Sequence, residues 1–399
     1  MKKELRKVKL GEILDVTRGA SLSGDFYATN GKYIRLTCGN FDYVNNFFKD
    51  NTSKENIYYT GAFKDCFLMS EGDIITPLTE QAIGLLGSTA RVPEGGKYIQ
   101  SQDIGKIICK ENLLDKDFAY YLISSQGVKQ QLSAAAQQTK IRHTSPDKIK
   151  DCVVWIPPIE QQRRIGKLLS DIDRKIALNR RMNATLEVMA RQLYDYWFVQ
   201  FDFPDAHGKP YKSSGGKMTW NNQLKRDIPE EWDSCLLKDL LVIKNGRDHK
   251  HLGNGIFPVY GTGGKMREVD KYLYSGESVL MPRKGSLNNV LFVDEAFWTV
   301  DTMFYSEMKL PYCAKFIFFS IRGIDFTRWD SGTGVPSMTS STLYSIPLVK
   351  PQSDILKRFD DIATMLFKTK KQVMSEITAL TRLRTTLLPL LMNGQVGVE

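Results

Sequence analysis

The sequence is poor in the residues that build catalytic and metal sites. It holds four histidines and six cysteines in 399 residues. The cysteines, at 38, 66, 109, 152, 235 and 313, are scattered and never form CxxC. Zinc ligation and a dense disulfide framework are therefore not expected, and reduced thiols are. No apolar run approaches the ~20 residues of a membrane helix; Cys152 to Ile156 is typical of the longest. The opening Met1-Lys2-Lys3-Glu4-Leu5-Arg6 lacks the apolar core of a secretory signal, so a cytoplasmic chain with no membrane partner is expected. There is no GxxxxGKS/T phosphate loop and no HExxH. His249 and His251 flank Lys250, but a third ligand is not evident and the lysine disfavours a cation, so a polar loop is expected there. Trp155-Ile156-Pro157-Pro158 lacks the Asn or Asp that would hold an amino group for methyl transfer. No glycine-rich turn suits S-adenosylmethionine, and no carboxylate–lysine cluster suits a nuclease. Catalytic, metal and cofactor residues are thus expected to be absent from this chain.

What is present is a surplus of basic residues. Lys and Arg number 55 against 45 Asp and Glu, a net +10, which favours a polyanionic partner, nucleic acid first. At roughly 150 residues per domain the length suggests two or three domains.

The chain repeats itself with a period of about 200 residues. Leu10-Gly11-Glu12-Ile13-Leu14-Asp15-Val16, ending at Gly19, is echoed by Leu237-Lys238-Asp239-Leu240-Leu241-Val242-Ile243, ending at Gly246. Glu71-Gly72-Asp73-Ile74-Ile75 before Pro77 resembles Ser275 to Leu280 before Pro282. Thr144-Ser145 with Val154-Trp155-Ile156-Pro157 resembles Thr339-Ser340 with Ile346-Pro347-Leu348. Agreement in order across three blocks implies duplication. Short β-rich runs, Lys32 to Leu36 and Asn289 to Val293 among them, alternate with Gly, Asn and Ser turns. Asp117 to Gln131 reads as helix. Each half is then a mixed α/β globule followed by a long helix.

The first helix follows Pro157-Pro158 and carries apolar residues at Ile165, Leu169, Ile172, Ile176, Met182, Leu186, Met189, Leu193 and Trp197. The second follows Pro351 and places Phe359, Leu366, Val373, Leu380 and Leu387 seven apart, with Ile362, Ile377, Leu383 and Leu390 between them. That is a coiled-coil pattern, with Pro389 expected to mark the end. Each helix would span about 35–40 residues, roughly 55–60 Å. Two apolar stripes of this length imply an antiparallel pair within the chain. Asn179 near the middle of one stripe, and Thr369 and Lys370 near the middle of the other, form either a register-fixing polar layer or a partly solvated seam. The expected division is residues 1–156 and 233–350 as globules, 157–200 and 351–399 as helices with a tail, and 201–232 as a linker tacked down by aromatic residues.

The loops offer hydrogen-bond donors. In the first half these are Arg18, Ser21, Ser23, Thr79, Gln81, Lys140, Arg142 and His143. In the second they are Arg247, His249, Lys250, Tyr260, Thr262, Lys265, Arg283, Lys284, Ser286, Asn288 and Thr333. Arg, Lys, Asn and Gln read base edges, while hydroxyls and glycine amides hold phosphates. They are taken as candidate DNA-binding residues because two such sets fall at equivalent places in a duplicated basic chain.

Together these features resemble the DNA-specificity subunits of type I restriction–modification systems. The resemblance rests on Ile156-Pro157-Pro158-Ile159-Glu160-Gln161-Gln162, on Tyr196 to Pro204, on Gly208 to Met218 and on Ile228-Pro229-Glu230-Glu231-Trp232. Pro258 to Gly264, Arg283 to Ser286, Phe297 to Thr302 and Leu387 to Gly394 also carry it. Pro351-Gln352-Ser353-Asp354-Ile355 departs from the pattern by lacking the Glu-Gln pair, which puts local contacts there in doubt. The resemblance implies two target-recognition domains, separated by the helix pair, each reading half of a bipartite double-stranded DNA site. It implies a helix pair that spaces them and docks two methyltransferase subunits carrying S-adenosylmethionine. Restriction (translocase) subunits using ATP and Mg would join the full complex, and this chain would be non-catalytic. A stand-alone DNA-modifying enzyme and a coiled-coil scaffold without DNA specificity are the competing readings.

Overall fold

A computed structural model describes residues 5–80, 84–135, 142–329 and 336–398. The chain forms two compact units. One comprises residues 1–179 with 375–399, the other residues 180–374. The boundaries cut both long helices, so each unit contains one globule and a stretch of each helix.

In the first unit the chain enters on strand Arg6–Lys9, makes the one-turn helix Leu10–Ile13 and continues as strand Leu14–Arg18. The entry strand pairs antiparallel with Val153–Ile156, the last strand of the globule. Strand Leu14–Arg18 borders a four-stranded sheet in which Ile104–Cys109 pairs with both it and Ile74–Pro77. A second four-stranded sheet contains Tyr33–Arg35, which pairs with Tyr58–Tyr59 and runs parallel to Tyr98–Ile99. The expected helix over Asp117 to Gln131 is two helices, Lys116–Ile123 and Gln126–Ala135. Ser124 separates them, because its hydroxyl donates to the carbonyls of Tyr120 and Tyr121 and ends the first. Cys152 is buried, as a core residue should be.

In the second unit the same opening recurs as strand Asp233–Leu236, helix Leu237–Leu240 and strand Leu241–Asn245, with Asp233–Leu236 pairing antiparallel with Pro347–Lys350. The sheet is larger here, six strands built on Tyr274–Pro282, Leu291–Thr299 and Met303–Met308. Residues 201–232 are folded rather than free. Met218–Asn221 and Arg226–Pro229 form a hairpin, and Phe201, Phe203 and Trp232 are buried in the same core as Trp197 and Phe198.

The duplication extends to individual main-chain hydrogen bonds. The Leu10 N–H donates to the Cys152 carbonyl, and the Leu237 N–H to the Ile346 carbonyl, both at 2.9 Å. Lys110 donates from its amide to Ile13 and from Nζ to Gly11; Lys309 does the same to Leu240 and Lys238. Ser145 and Thr339 are the equivalent caps of short helices. The third repeat block is therefore shifted by one residue from the alignment of Thr144-Ser145 with Thr339-Ser340.

The long helices are Ile159–Tyr194 and Ser353–Met392. Pro389 lies inside the second helix rather than at its end. Its ring removes only one amide in the final turn, and its own carbonyl still accepts from the Asn393 N–H at 3.0 Å. In the first helix the stripe turns through Ile172, Ile176, Asn179 and Ala190, all buried, while Met182 and Met189 point outward and are exposed. Strict helical spacing prefers the polar and small residues to the two methionines at these levels. Pairing is antiparallel in each unit. In the first, Arg384 bonds Asp173 and Asn179 bonds Glu376; in the second, Lys370 bonds Glu187 while Tyr194 packs edge-on to Phe359. Thr369, by contrast, donates to the Met365 carbonyl one turn back in its own helix.

The two helix starts are held differently. In the first, Gln162 is buried; its amide donates to the carbonyls of Pro157 and Leu113 and its carbonyl accepts from the Asp115 N–H. In the second, Lys315 is buried between Glu277 and Asp360, and its ammonium lies 2.9 Å from the Asp360 carboxylate. Of the Glu-Gln pair itself, Glu160 accepts from Arg163 within its own helix and the Gln161 amide donates to the Val398 carbonyl at 3.2 Å, whereas at the second helix the Gln352 amide donates to Glu231 at 2.7 Å, so the local contacts differ.

Candidate nucleic-acid interface

Five loop segments of the second unit are tied directly to one another. The Arg247 N–H donates to the Thr299 carbonyl at 2.9 Å, and the Val300 N–H to the Tyr260 carbonyl at 3.0 Å. The Arg283 N–H donates to the Thr302 carbonyl at 2.8 Å, and the Met338 N–H to the Arg283 carbonyl at 2.8 Å. The Asn289 amide donates to the Thr262 carbonyl at 2.6 Å. Arg247, Tyr260, Thr262, Arg283, Lys284, Ser286 and Asn288 are thereby brought together from distant parts of the sequence.

Not all of their polar atoms are free. The Asn288 side chain donates to Asp325 at 3.0 Å and accepts from the Phe326 N–H at 2.8 Å, so it pins the loop. Two hydroxyl or amide donors, from Thr327 and Asn288, hold the Asp325 carboxyl down at about 2. The Tyr260 hydroxyl donates to Glu295 at 2.7 Å; burial first, and Glu295 second, push its pKa up and keep it neutral. Lys265 is ion-paired at 2.8 Å with Glu268, three residues further along the same strand. The His249 carbonyl accepts from Arg267 at 2.6 Å, while Lys250 is exposed. Arg247 and Lys284 are exposed and Arg283 is half-buried, with its guanidinium 5.9 Å from the Phe304 ring. No ion pair engages these three cations among the described residues.

The first unit repeats this scaffold. The Ala20 N–H donates to the Gln100 carbonyl at 2.9 Å, the Leu78 N–H to the Asp103 carbonyl at 2.8 Å, and the Thr144 N–H to the Leu78 carbonyl at 2.9 Å. Gly19 and Gly246 occupy equivalent close approaches. A Cβ on Gly19 would lie 2.3 Å from the Gln100 carbonyl oxygen, and one on Gly246 would lie 2.0 Å from that of Val300. Thr79 pairs with His143 across a two-residue ladder. The Thr79 hydroxyl lies 3.1 Å from Asp103 and 3.4 Å from the His143 ring. Arg18 donates from Nε to the Gln102 carbonyl at 2.8 Å. Ser21 and Ser23 are exposed, and Ser23 caps the short turn at Asp25. Gln81, Lys140 and Thr333 lie outside the described residues, as does the side chain of Arg142.

Sequence reasoning missed Asp103, the acceptor beside Thr79, and Thr302, its counterpart under Arg283. The available signal was the polar turn Gln100-Ser101-Gln102-Asp103, which follows the apolar pair Tyr98-Ile99 as Thr302 follows Trp298. No group of three or more His, Cys, Asp or Glu among the described residues could hold a metal ion. The Cys38 thiol beside this cluster is pushed up to about 11 by burial and then by Asp103, which is the opposite of an activated nucleophile. No described helix is long and apolar enough to cross a membrane.

The model of a family described as the type I restriction modification DNA specificity domain matches residues 2–188 and 229–379. The type I restriction enzyme MjaIX specificity subunit of Methanocaldococcus jannaschii is 21% identical over 357 residues, covering 79% of this chain and 78% of its own. The HindI specificity subunit of Haemophilus influenzae is 20% identical over 374 residues, covering 75% and 81%. The crystal structure of a type I restriction–modification S subunit from M. genitalium superposes with a TM-score of 0.67 at 18% identity, covering 98% of this chain and 96% of that one.

Proposed function

The chain belongs to the type I restriction–modification DNA-specificity family, and from that premise we propose that it is the non-catalytic, sequence-reading subunit of such a system. Each loop cluster reads one part of a bipartite, asymmetric double-stranded DNA site. The paired helices set the gap between the parts and dock two methyltransferase subunits, which bring S-adenosylmethionine and the chemistry. Restriction subunits using ATP and Mg join the full complex, and the assembly works in the cytoplasm.

One observation carries this reading. Two loop clusters, far apart in sequence, are built on the same main-chain hydrogen bonds yet present different side chains. A duplicated scaffold with divergent loops suits the reading of two unlike half-sites.

The test is reconstitution. Purified chain given S-adenosylmethionine and DNA should transfer no methyl groups until a partner methyltransferase is added. Mapping of methylated bases in the host should then lose one bipartite motif when this chain is deleted. Methyl transfer by the chain alone would reject the reading.

A further inference from the structure

Residues 246–252 form neither helix nor strand, yet their main chain is tied to the six-stranded sheet of the second unit. The Gly246 N–H donates to the Met303 carbonyl at 3.0 Å, and the Arg247 N–H to that of Thr299 at 2.9 Å. The Arg247 carbonyl accepts from the Trp298 indole at 2.9 Å. The Arg267 guanidinium donates to the carbonyls of His249, at 2.6 Å, and Leu252, at 3.0 Å.

Two side chains, Trp298 and Arg267, thus do for this loop what a neighbouring strand would do. Neither is among the candidate DNA-binding residues. Register explains how both reach the loop. Val259 is the ladder partner of Trp298 on one side and of Arg267 on the other. Partners at one level point to the same face of a sheet, so indole and guanidinium flank Val259 under the loop. Leu252 closes the arrangement by packing in the same apolar cluster as Val259 and Trp298. Trp298 is buried, so its N–H would be stranded without the Arg247 carbonyl.

The consequence falls on Arg247. Its main chain is bonded on both sides of Cα, while its side chain is exposed and enters no ion pair among the described residues. A fixed Cα with a free guanidinium is what a base contact needs. A bidentate pair to O6 and N7 of guanine demands a set position and plane, whereas a phosphate accepts a mobile cation.

Resting on the DNA-reading role above, we infer that Arg247 reads a guanine in the half-site of the second unit, and that Trp298 and Arg267 are positioning residues that aim it.

The experiment uses the chain assembled with its methyltransferase partner, on DNA carrying the motif found by methylation mapping. Binding to that motif is compared with binding to each single-base change. Arg247→Ala should lose about 10- to 100-fold of the discrimination at one G·C pair, in one half-site only, and keep the log–log salt slope. Replacing the guanine of that pair with 7-deazaguanine, which lacks N7, should weaken binding by the parent chain and leave the Arg247→Ala chain unaffected. Trp298→Phe keeps a ring and removes the N–H; Arg267→Met keeps the stem and removes the donors. Each should lose roughly 3- to 10-fold at the same pair and add nothing to Arg247→Ala. Arg267→Lys, which keeps a donor for one carbonyl, should recover part of the Arg267→Met loss. A uniform loss over all sequences, with the salt slope lower by ~0.9, would place Arg247 on a phosphate and overturn the proposal. So would equal sensitivity of parent and Arg247→Ala chains to 7-deazaguanine at every guanine. Loss at every pair of the half-site in Trp298→Phe and Arg267→Met would mean a disturbed sheet and overturn the positioning role. An assembly that methylates no defined sequence at all defeats instead the functional reading on which the inference rests.

Discussion

Asn179 and Glu376 hold one another across the two long helices, the asparagine amide donating to the carboxylate at 2.8 Å from a site that is 1% exposed. Lys175 approaches the same carboxylate at 3.3 Å. The polar position in an otherwise apolar stripe is therefore partnered: Asn179 is buried, while Glu376 and Lys175 reach it from the solvated edge of the seam. Its geometry suits the fixing of register.

The Asn179 hydrogen bond first, and Lys175 after it, lower the Glu376 pKa. A depressed carboxylate contributes stability above its unfolded value, and that contribution is lost as pH falls through the folded value. Asn179→Asp reverses the sign by facing one carboxylate with another. The variant should melt below the parent at pH 7, with the difference narrowing towards pH 4. Thermal unfolding at the two pH values checks this; a constant difference would show that the layer is not electrostatic.

Lys315 is the deepest charge in the second unit, 2% exposed between Glu277 and Asp360. Lys315→Met should destabilise by about 3 kcal/mol, because two carboxylates lose their partner in a confined site. Replacing Glu277 and Asp360 with Gln and Asn in the same chain should restore most of the loss. If the triple variant is no more stable than the single one, lost packing rather than stranded charge is responsible.

These two sites mark how far the sequence is readable. The long helices are legible because apolar residues recur at helical spacing over many turns, and the duplication is legible because its blocks keep their order. Lys315 is not legible. In Ala314 to Arg322 it stands among phenylalanines like any lysine on a solvated helix face, and only the approach of Glu277 and Asp360, 38 and 45 residues away, reveals its burial. The methionines at 182 and 189 misled for the opposite reason: hydropathy favoured them, while helical phase gave the buried positions to Asn179 and Ala190. The loop residues were legible as chemistry but not as a site. They are assembled by main-chain bonds, which any sequence can make and none advertises.

Asp325, held at about 2 by the Thr327 hydroxyl and the Asn288 amide, reports on the loop from Arg283 to Asn289. Its depressed pKa stabilises the loop above the ordinary carboxylate range, ~3.9, and the contribution disappears as pH falls towards 2. Asn288→Ala should raise the Asp325 midpoint towards the ordinary value. Carboxyl titration by NMR gives the answer directly; an unmoved midpoint would mean that Asn288 does not pin the loop.

The spacer can be tested by length. Deleting residues 177–183 and 372–378, one heptad from each helix with the Asn179–Glu376 layer included, removes about 10 Å of helix. The gap between half-sites should shorten by about 3 base pairs at ~3.4 Å each. The turn of roughly 100° that accompanies it, at ~10–10.5 base pairs per helical turn, can lower activity outright. Selection from DNA with random half-sites and variable gaps should return the old half-sites at a shorter gap. New half-site bases at the old gap would defeat the spacer role.

The loops that meet at Thr299 to Thr302, and at Gln100 to Asp103, share a frame of amide-to-carbonyl hydrogen bonds in both copies, while the side-chain bonds around that frame differ, with Arg18 and Thr79 in one copy and Trp298 in the other. A scaffold written in the backbone is indifferent to what its side chains say. Leu78 and Arg283 already occupy one such socket in the two copies, an apolar residue in one and a cation in the other, with hydrogen bonds of the same length beneath them. Exchange of side chains at these sockets leaves the frame standing, so the two copies carry different chemistry, a buried leucine or a half-exposed arginine, on one and the same backbone.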